Sequence, residues 1–489
     1  MYIVNSSQMK KIEEKAADAG IKTLILMENA ASALKAGVLC FKPEKTFVFT
    51  GKGQNAGDGF ALSRQMMLSG YDVSVVTVCD PELLTGDAKI NFEIAKNIGV
   101  DIKPFDKNAD YSCDVLVECI CGTGFRGELS GGFLDAADVI NSVKAHIICA
   151  DIPLGVCADS GETDKNAVKA EKTVTFGYPK LGLYSPLSAD FVGEVVTGDI
   201  SVNGKDAEDT GVKTFLTSIK DVYIPKKSKG ANKGTNGRVL IAGGSVGMAG
   251  AVIMAANAAQ KCGAGTVTCA APKEISSPLM SQLLGAMYTD IETVDFSKYD
   301  AVLFGNGAGK SDKTRKLLEK AVKTCLGTLI IDADGLNVLS EDISILKESK
   351  AEIILTPHPL EFSRISGTDV PEILKNRIDK AIDFSVKTNA VTVLKTAYTV
   401  VADENGYAYI NTTGNEGMAK GGSGDILAGM MAGLAPSFTN KTDMAKCAVF
   451  LHGLAGDKAA EKHGKLSMTP EDILSEIAGG VLEIEKNMF

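Results

Sequence analysis

Short β-rich runs alternate with longer helical stretches along almost the whole chain, and the alternation occurs in two series. The first reads TFVFT from Thr46, VSVVTV from Val73, DVLVE from Asp114, HIICAD from His146 and KTVTF from Lys172. Helical sequence separates these runs, as in Phe60–Ser69 and Asp87–Asn97. Strands spaced this way pair through crossover helices, which predicts a parallel sheet covered on both faces. Near residues 193–220 the pattern changes to a strand-like EVVTGDI, a polar SVNGKDAEDTG and IKDVYIPKKSKGANKGTNG. A second series starts at RVLIAGG and runs through GTVTCAA, AVLFG, TLIIDAD, EIILTP and VTVLK. The expectation is two α/β domains, residues 1–210 and 220–489, joined between about 205 and 225. A length of 489 residues suits that division.

Composition narrows the function. The chain carries 51 Lys+Arg against 61 Asp+Glu, a net charge of −10. An acidic surface argues against non-specific binding to nucleic acid or anionic membranes. Tryptophan is absent and aromatics are 6%, so a stacking platform for single-stranded nucleic acid is not expected. Glycine is abundant, 51 residues against 14 prolines, which points to tight turns and close backbone approaches rather than linkers. The 11 cysteines are scattered without a CxxC, and four histidines give no zinc spacing. They read as small core residues of a reducing compartment, Cys119 and Cys121 included. The N-terminal MYIVNSSQMKKIEEKAADAG has no continuous apolar core, and no run of 18 apolar residues occurs. A cytoplasmic protein without a membrane span is expected.

Three stretches of the first half have the composition of ligand sites. TGKGQNAGDGF (Thr50–Phe60) follows a strand and precedes a helix; its glycines offer backbone N–H groups to an anion, with Asn55 and Asp58 as polar side chains. GTGFRG (Gly122–Gly127) matches GxGxxG after a strand. No acid follows about 20 residues on, so it is not an ordinary nicotinamide dehydrogenase fingerprint. Glu118 and Asp151 each lie at a strand end, and Lys180 sits in TFGYPKLGLYSP. Ordinary turns, solvated strand-end acids and a surface lysine are the alternatives.

NAGDG at 55–59, ECICGTGFRG at 118–127, ADIPLG at 150–155 and TFGYPKLGL at 175–183 resemble the N-terminal domain of NAD(P)H-hydrate epimerases, over about residues 1–205. The resemblance implies a Rossmann-like three-layer sandwich that interconverts the R and S forms of hydrated NADH and NADPH. It implies that Asn55, Ala56, Gly57, Asp58 and Gly59, together with Gly122, Thr123, Gly124, Phe125, Arg126, Gly127 and Glu128, bind the hydrate, with Asp151 at its nicotinamide part. It further implies a potassium ion near Asn55, Glu118 and Leu154. Glu118 stands where the family has aspartate and Leu154 where it has serine, so leucine offers only its carbonyl. The hydroxyl of the hydrate sits on a carbon next to the ring nitrogen. It leaves with push from that nitrogen and returns on the other face, so a carboxylate moving one proton suffices. Asp151 is expected in that role, with Lys180 as a polariser.

In the second half, GNGAG (Gly305–Gly309) follows a strand, and AKGGSGDILAGMMAGLA (Ala419–Ala435) joins a glycine turn to an apolar helix. Free N–H groups at that helix start form an anion hole, and Asp425 in its first turn is placed to act as a base. No GxxxxGK[ST] is present. GGSGD resembles the anion hole of ribokinase-like proteins. With residues 243–267, DADGLN (332–337), TPHPLEF (356–362) and VLKT (393–396), the region resembles NAD(P)H-hydrate dehydratases over about 225–485. That family uses ADP in bacteria and archaea and ATP in eukaryotes, with Mg2+, to restore NADH or NADPH from the S hydrate; ADP yields AMP and phosphate. The resemblance implies that Ala251, Gly309 and His358 contact the hydrate and that Lys395, Thr396, Ala397, Tyr398, Thr399 and Gly424 hold the nucleotide. It implies that Asp425 helps the substrate hydroxyl attack the terminal phosphate. Lys395–Thr396 replaces the family's lysine–glycine, and Asn232–Lys233–Gly234 its histidine–lysine–glycine. For His358 a capping or core role is the alternative.

The expectation is a fused repair enzyme, working as a homo-oligomer on hydrated NADH or NADPH and an adenine nucleotide, with no nucleic-acid or membrane partner. A small-molecule kinase of the thiazole or sugar class with an appended binding domain is a second reading. A non-enzymatic scaffold is a third.

Overall fold

The structure is a computed structural model and describes residues 1–487. It contains two compact units, Met1–Thr214 and the chain from Phe215 onward.

The first unit holds strands β1 (Lys45–Thr50), β2 (Asp72–Thr77), β3 (Asp101–Pro104), β4 (Val115–Cys119), β5 (His146–Ala150), β6 (Lys172–Phe176) and β7 (Glu194–Gly198). They form one sheet in the order β3-β2-β1-β4-β5-β6-β7, every pairing parallel. Val48 on β1 lies opposite Val75 and Val117. Because strand side chains alternate, Val48 joins an apolar cluster on one face, with Val75, Val117 and Ile148, while Phe47 and Phe49 join Leu116 and Ile147 on the other. Burial on both faces is why these strands read as continuous apolar runs. The result is the expected three-layer Rossmann-like sandwich. Its strand order reverses between β1 and β4, the place where open parallel sheets bind ligands.

One boundary differs from the sequence reading. The helix after β1 spans Gln54–Leu68, so NAGDG lies inside its first turns rather than in a loop. The glycines that signal a turn serve close packing instead. A Cβ at Gly57 would stand 2.5 Å from Met27 Sδ, and one at Gly59 would stand 2.8 Å from Thr50 Cγ2.

The second unit holds β8 (Thr214–Thr217), β9 (Arg238–Ala242), β10 (Thr266–Ala271), β11 (Ala286–Asp290), β12 (Ala301–Phe304), β13 (Thr328–Ile331), β14 (Glu352–Leu355), β15 (Val391–Leu394), β16 (Val400–Ala402) and β17 (Ala408–Asn411). Their order is β11-β10-β9-β12-β13-β14-β15-β16-β17-β8. The pairings are parallel from β11 to β15 and antiparallel from β15 to β17. This order also reverses once, between β9 and β12. On one face Val239, Ile241, Leu303, Ile330 and Val393 pack beneath helices Ala249–Lys261, Ser423–Leu434 and Lys441–His463. Gly429 and Gly433 bring two of these helices together: a Cβ at either would stand 2.2 or 2.4 Å from a carbonyl of Ala255 or Ala259.

All 11 cysteines are free thiols, seven of them buried. Among the described residues no helix is long and apolar enough to cross a membrane.

Candidate functional sites

At the switch point of the first sheet, the ends of β1, β4 and β5 bring Asn55, Gly122 and Asp151 together. Asp151 directly follows β5 with φ 68°, a left-handed backbone that a non-glycine residue rarely adopts. Its amide N–H is held by the Val174 carbonyl at 2.8 Å. That turn aims the carboxylate across the strand ends. Oδ1 accepts from Thr175 Oγ1 at 3.0 Å, from Phe176 N at 3.4 Å and from Lys180 Nζ. No described group donates to Oδ2, which stands 3.3 Å from where a Cβ on Gly122 would be. Gly122 is thus a glycine because the carboxylate needs that space.

Lys180 is 2% exposed, and its remaining donors go to Thr175 Oγ1 at 3.2 Å and the Phe176 carbonyl at 2.9 Å. All three N–H groups are engaged within the protein, so Lys180 orients Asp151 and is not free to polarise a ligand directly. Asp58 is buried on the helix beside this pair. Burial first, then the charges of Asp151 and Glu13, push its carboxyl well above the usual range, with Lys180 opposing. Glu13, not expected from sequence, is likewise pushed up by burial, with Lys180 opposing and the charges of Asp151 and Glu14 adding to the rise.

Asn55 donates through Nδ2 to the Ala150 carbonyl at 3.2 Å, and its buried Oδ1 has no partner. Glu118 is fully buried. Its Oε1 accepts from Ile120 N at 2.6 Å and Cys121 N at 3.4 Å, and its Oε2 from Leu154 N at 2.9 Å. Burial pushes its carboxyl up to about 7 against the pull of those N–H groups. The Leu154 carbonyl accepts from Val168 N at 2.9 Å. Of the three residues expected to ligate potassium, only Asn55 has an unengaged oxygen, and Glu118 instead ties two loops to the strand end. The Leu154 carbonyl and the Glu118 carboxylate keep lone pairs beyond the N–H groups they accept, so with Asn55 Oδ1 these are the oxygens that would hold a potassium ion; among the described residues no group of three or more acidic, His or Cys side chains suits a metal.

In the loop after β4, Gly122 meets the site, Phe125 is buried in the apolar cluster, and Thr123 is half-buried. Gly124, Arg126, Gly127 and Glu128 are exposed. Arg126 pairs with Asp159 at 2.6 Å and donates to the Thr123 and Phe125 carbonyls. It therefore braces its own loop.

The second site lies at the carboxyl ends of β12, β13, β14 and β15, facing the start of the Ser423–Leu434 helix. Gly422 caps that helix with φ 106°, which glycine adopts without strain. Asp425 falls in the first turn, and its Oδ1 accepts from Asn306 Nδ2 at 2.6 Å; no described group donates to Oδ2. Burial pushes its carboxyl up, Asn306 pulls it down, and Asp332 and Lys395 act in opposite directions more weakly.

Lys395, at the end of β15, reaches Asp332 Oδ1 at 2.7 Å, and a Cβ on Gly424 would stand 3.6 Å from its Nζ. Its amide donates to the Pro357 carbonyl at 2.8 Å, which ties the 395–399 loop to the segment carrying His358. In that loop Thr396 Oγ1 is buried without a partner, Thr399 Oγ1 donates to the Thr396 carbonyl, and Ala397 is exposed. Tyr398 has φ 59°, and its carbonyl is held by buried Arg377 at 3.0 Å.

His358 takes the capping role. Its Nδ1 accepts from Leu360 N and Glu361 N at the start of helix Pro359–Ser366, and Nε2 faces Glu361 Oε1 at 3.3 Å. Burial pushes Glu361 up to about 7, with nearby Lys395 opposing. Gly309 gives its N–H to Asp334 at 2.8 Å, and Ala251 packs against the same 305–309 loop beside Gly307.

Sequence reasoning passed over Asn306, Asp332, Thr356 and Glu361. Asp332 is 2% exposed and accepts from Asn306 Nδ2 at 2.8 Å, Thr356 Oγ1 at 2.8 Å and Lys395. The available signals were a polar residue between glycines after β12 and the first acid of IIDAD. Ala333, next to Asp332, has φ 50°, so both sites carry a strained backbone at a strand end.

Comparison with known proteins agrees with this division. Residues 23–182 match the family described as YjeF-related protein N-terminus, and residues 239–478 match NAD(P)H-hydrate dehydratase. The bifunctional NAD(P)H-hydrate repair enzyme of Coxiella burnetii is 34% identical over 97% of this chain and 98% of its own. That of Moorella thermoacetica is 32% identical over 97% and 95%. Among solved structures, the ADP/ATP-dependent NAD(P)H-hydrate dehydratase of Bacillus subtilis, co-crystallised with ATP and Mg2+, is 25% identical with TM-score 0.51. It covers 55% of this chain and 98% of that one. A ribokinase-like protein of Enterococcus faecalis is 26% identical with TM-score 0.50, covering 56% and 96%. Two sites, each at the parallel part of its own sheet, and full-length relatives with the same two halves lead to one assignment: the chain belongs to the family of bifunctional NAD(P)H-hydrate repair enzymes.

Proposed function

We propose that the first unit epimerises hydrated NADH and NADPH at the Asp151 site and that the second dehydrates the S form at the Asp425 site. The observation that supports this best is common to both: each site has one carboxylate held by Oδ1 with Oδ2 open. A carboxylate arranged so has a fixed direction and a free acceptor, as proton transfer at a hydroxyl requires.

In the first unit, Asp151 takes a proton from solvent on its open Oδ2 and passes it to the departing hydroxyl, while the ring nitrogen supplies the electron pair that breaks the C–O bond. Water then adds to the opposite face and returns the proton to Asp151. Lys180 and Thr175 keep Oδ1 occupied throughout, and Asn55 and Asp58 at the helix start face the hydrate across from the Gly122–Gly124 turn. A potassium ion held by Asn55, Glu118 and the Leu154 carbonyl would supply positive charge beside the hydrate, and no step is routed through it.

In the second unit, Asp425 Oδ2 takes the proton of the substrate hydroxyl, whose oxygen attacks the terminal phosphorus of the nucleotide. The new O–P bond replaces the bond to the bridging oxygen, releasing AMP from ADP or ADP from ATP. The C–O bond then breaks with push from the ring nitrogen, phosphate leaves, and a proton lost from the neighbouring carbon restores the reduced ring. Lys395 and Gly424, with Thr396–Thr399, hold the nucleotide, and Mg2+ enters with its phosphates. Ala251, Gly309 and the Nε2 side of His358 contact the hydrate. Preorganised charge at the transferred group is the main source of rate in such chemistry.

The test is recovery of reduced-nicotinamide absorbance from a racemic hydrate with ADP or ATP and Mg2+. Full recovery supports both activities. Recovery of only the S fraction removes the epimerase, and stable phosphorylation of a vitamin precursor instead removes the dehydratase.

A further inference from the structure

We propose that Asn306 is a positioning residue of the dehydratase: its single amide nitrogen holds the Asp425 carboxylate by Oδ1 so that Oδ2 meets the substrate hydroxyl. This rests on the reading of Asp425 as the base.

The amide is 1% exposed and sits in the loop after β12, at the switch point of the second sheet. Its nitrogen has two N–H groups. One goes to Asp332 Oδ2 at 2.8 Å and the other to Asp425 Oδ1 at 2.6 Å. With both engaged, the plane of the amide is fixed, and so is the direction in which it pulls Asp425. The backbone behind it is fixed as well. Gly244 N donates to the Asn306 carbonyl at 2.8 Å, and a Cβ at Gly243 would stand 2.4 Å from that oxygen. Asp332 is anchored in turn by Thr356 Oγ1 and Lys395 Nζ. A continuous line of hydrogen bonds therefore runs from the ends of β14 and β15 through Asp332 and Asn306 to Asp425.

An amide present only to fill the core would have its oxygen satisfied. Asn306 Oδ1 is instead buried without a partner, a cost that packing alone does not explain.

Three elements present groups to Asp425: the β12 loop through Asn306, β13 through Asp332, and β15 through Lys395. Glu361 and His358, on the helix after β14, lie next to Lys395. Burial and Asp332 favour the protonated acid; Asn306 and Lys395 favour the carboxylate. Asn306 is the group that does so by a direct hydrogen bond. Removing it lets two acids face each other with no donor between them. The protonated fraction of Asp425 then rises at any given pH, and the acid limb of the rate profile moves to higher pH.

The experiment uses the full chain with Asn306→Leu, which keeps volume and removes both donors, and Asn306→Asp, which puts a third carboxyl in the same shape. Two readouts are taken. One is the pH dependence of kcat for dehydration of the S hydrate at saturating nucleotide. The other is the carboxyl 13C titration of Asp425, identified by difference from Asp425→Asn, which needs no substrate. In Asn306→Leu both shift upward together by about one pH unit, about tenfold in rate on the acid side, and largely recover at high pH. Asn306→Asp shifts further. Nucleotide KM and epimerisation stay as in the unchanged protein, and the second unit still unfolds in one cooperative transition, at a lower temperature because Asp332 and Asp425 each lose a donor, which shows that the variants are folded. A loss equal at every pH with the Asp425 titration unmoved overturns the proposal. A shifted titration in a protein that does not dehydrate at all instead overturns the functional reading and leaves the tether standing.

Discussion

The two sites use the same device with different support. Asp151 is held by a lysine with all its donors engaged inside the protein, on a strained backbone at a strand end. Asp425 is held by a neutral amide at a helix start, while the nearby lysine is shared with Asp332 and lies beside Gly424. The difference follows from the chemistry each site is proposed to perform. Epimerisation moves a hydroxyl and a proton and leaves no extra anion to neutralise, so its cation can be committed to orienting the acid. Dehydration through a phosphate ester builds negative charge beside the base, so its cation lies next to the anion hole while an uncharged group orients the acid.

The largest effect is expected at Asp425. Asp425→Asn keeps the shape and the contact to Asn306 but removes the base, so dehydration falls by roughly 10²–10⁴-fold, with epimerisation measured by chromatography of the R and S forms unchanged. A smaller drop makes the helix start, rather than the acid, the main contributor. Asp151→Asn should slow epimerisation by roughly 10²-fold, and recovery from a racemate then stalls once the S form is consumed. Undiminished epimerisation removes Asp151 from the chemistry.

Lys180→Met tests the orienting role. The Lys180–Asp151 pair is 2% and 13% exposed, so leaving one charge unpaired costs about 3–5 kcal/mol of stability in the first unit. Denaturant unfolding followed unit by unit reads this, and a change under about 1 kcal/mol contradicts a structural pair.

Glu118 gives a pH signature. Its folded carboxyl is raised to about 7 by burial, so between its ordinary range and about 7 the folded state holds a proton that the unfolded state has lost. Stability of the first unit therefore falls as pH rises through that window, by up to about 1.4 kcal/mol per pH unit, and is level above it. Glu118→Met should lower stability overall but remove the slope; an identical slope in both proteins assigns it elsewhere. The smallest effect is expected at Arg126, whose pair with Asp159 is 50% and 37% exposed. Arg126→Ala should change stability by less than about 1 kcal/mol, and its contribution to hydrate KM should be read separately.

Much of the architecture was legible because apolar β-branched runs at strand spacing have one economical use, a buried parallel strand. TFVFT, HIICAD and TLIIDAD are such runs, and each is a central strand. The Gln54 helix start was not legible, since glycine normally argues against a helix and only the neighbours Met27, Thr50 and Cys119 show why it is tolerated. The short β11 and β17 also escaped, because polar or tyrosine-rich pieces such as AMYTD and AYIN carry little apolar periodicity, and β16 because the three residues VVA are too short a run to stand out. Asp151 and Asp425 stood out through their glycine surroundings. Asn306 and Asp332 did not, because their significance lies in partners distant in sequence: Asn306 is 119 residues from Asp425. What sequence does not carry about the potassium expectation is the set of N–H groups that Glu118 and the Leu154 carbonyl already accept.

The most direct measurement is complementation in one tube. Asp151→Asn alone restores absorbance from the S half of a racemic hydrate, and Asp425→Asn alone restores none. Mixed with nucleotide and Mg2+, the two variants should recover the full signal, because each supplies the carboxylate the other lacks. A mixture that recovers no more than Asp151→Asn alone contradicts the assignment of one working carboxylate to each unit.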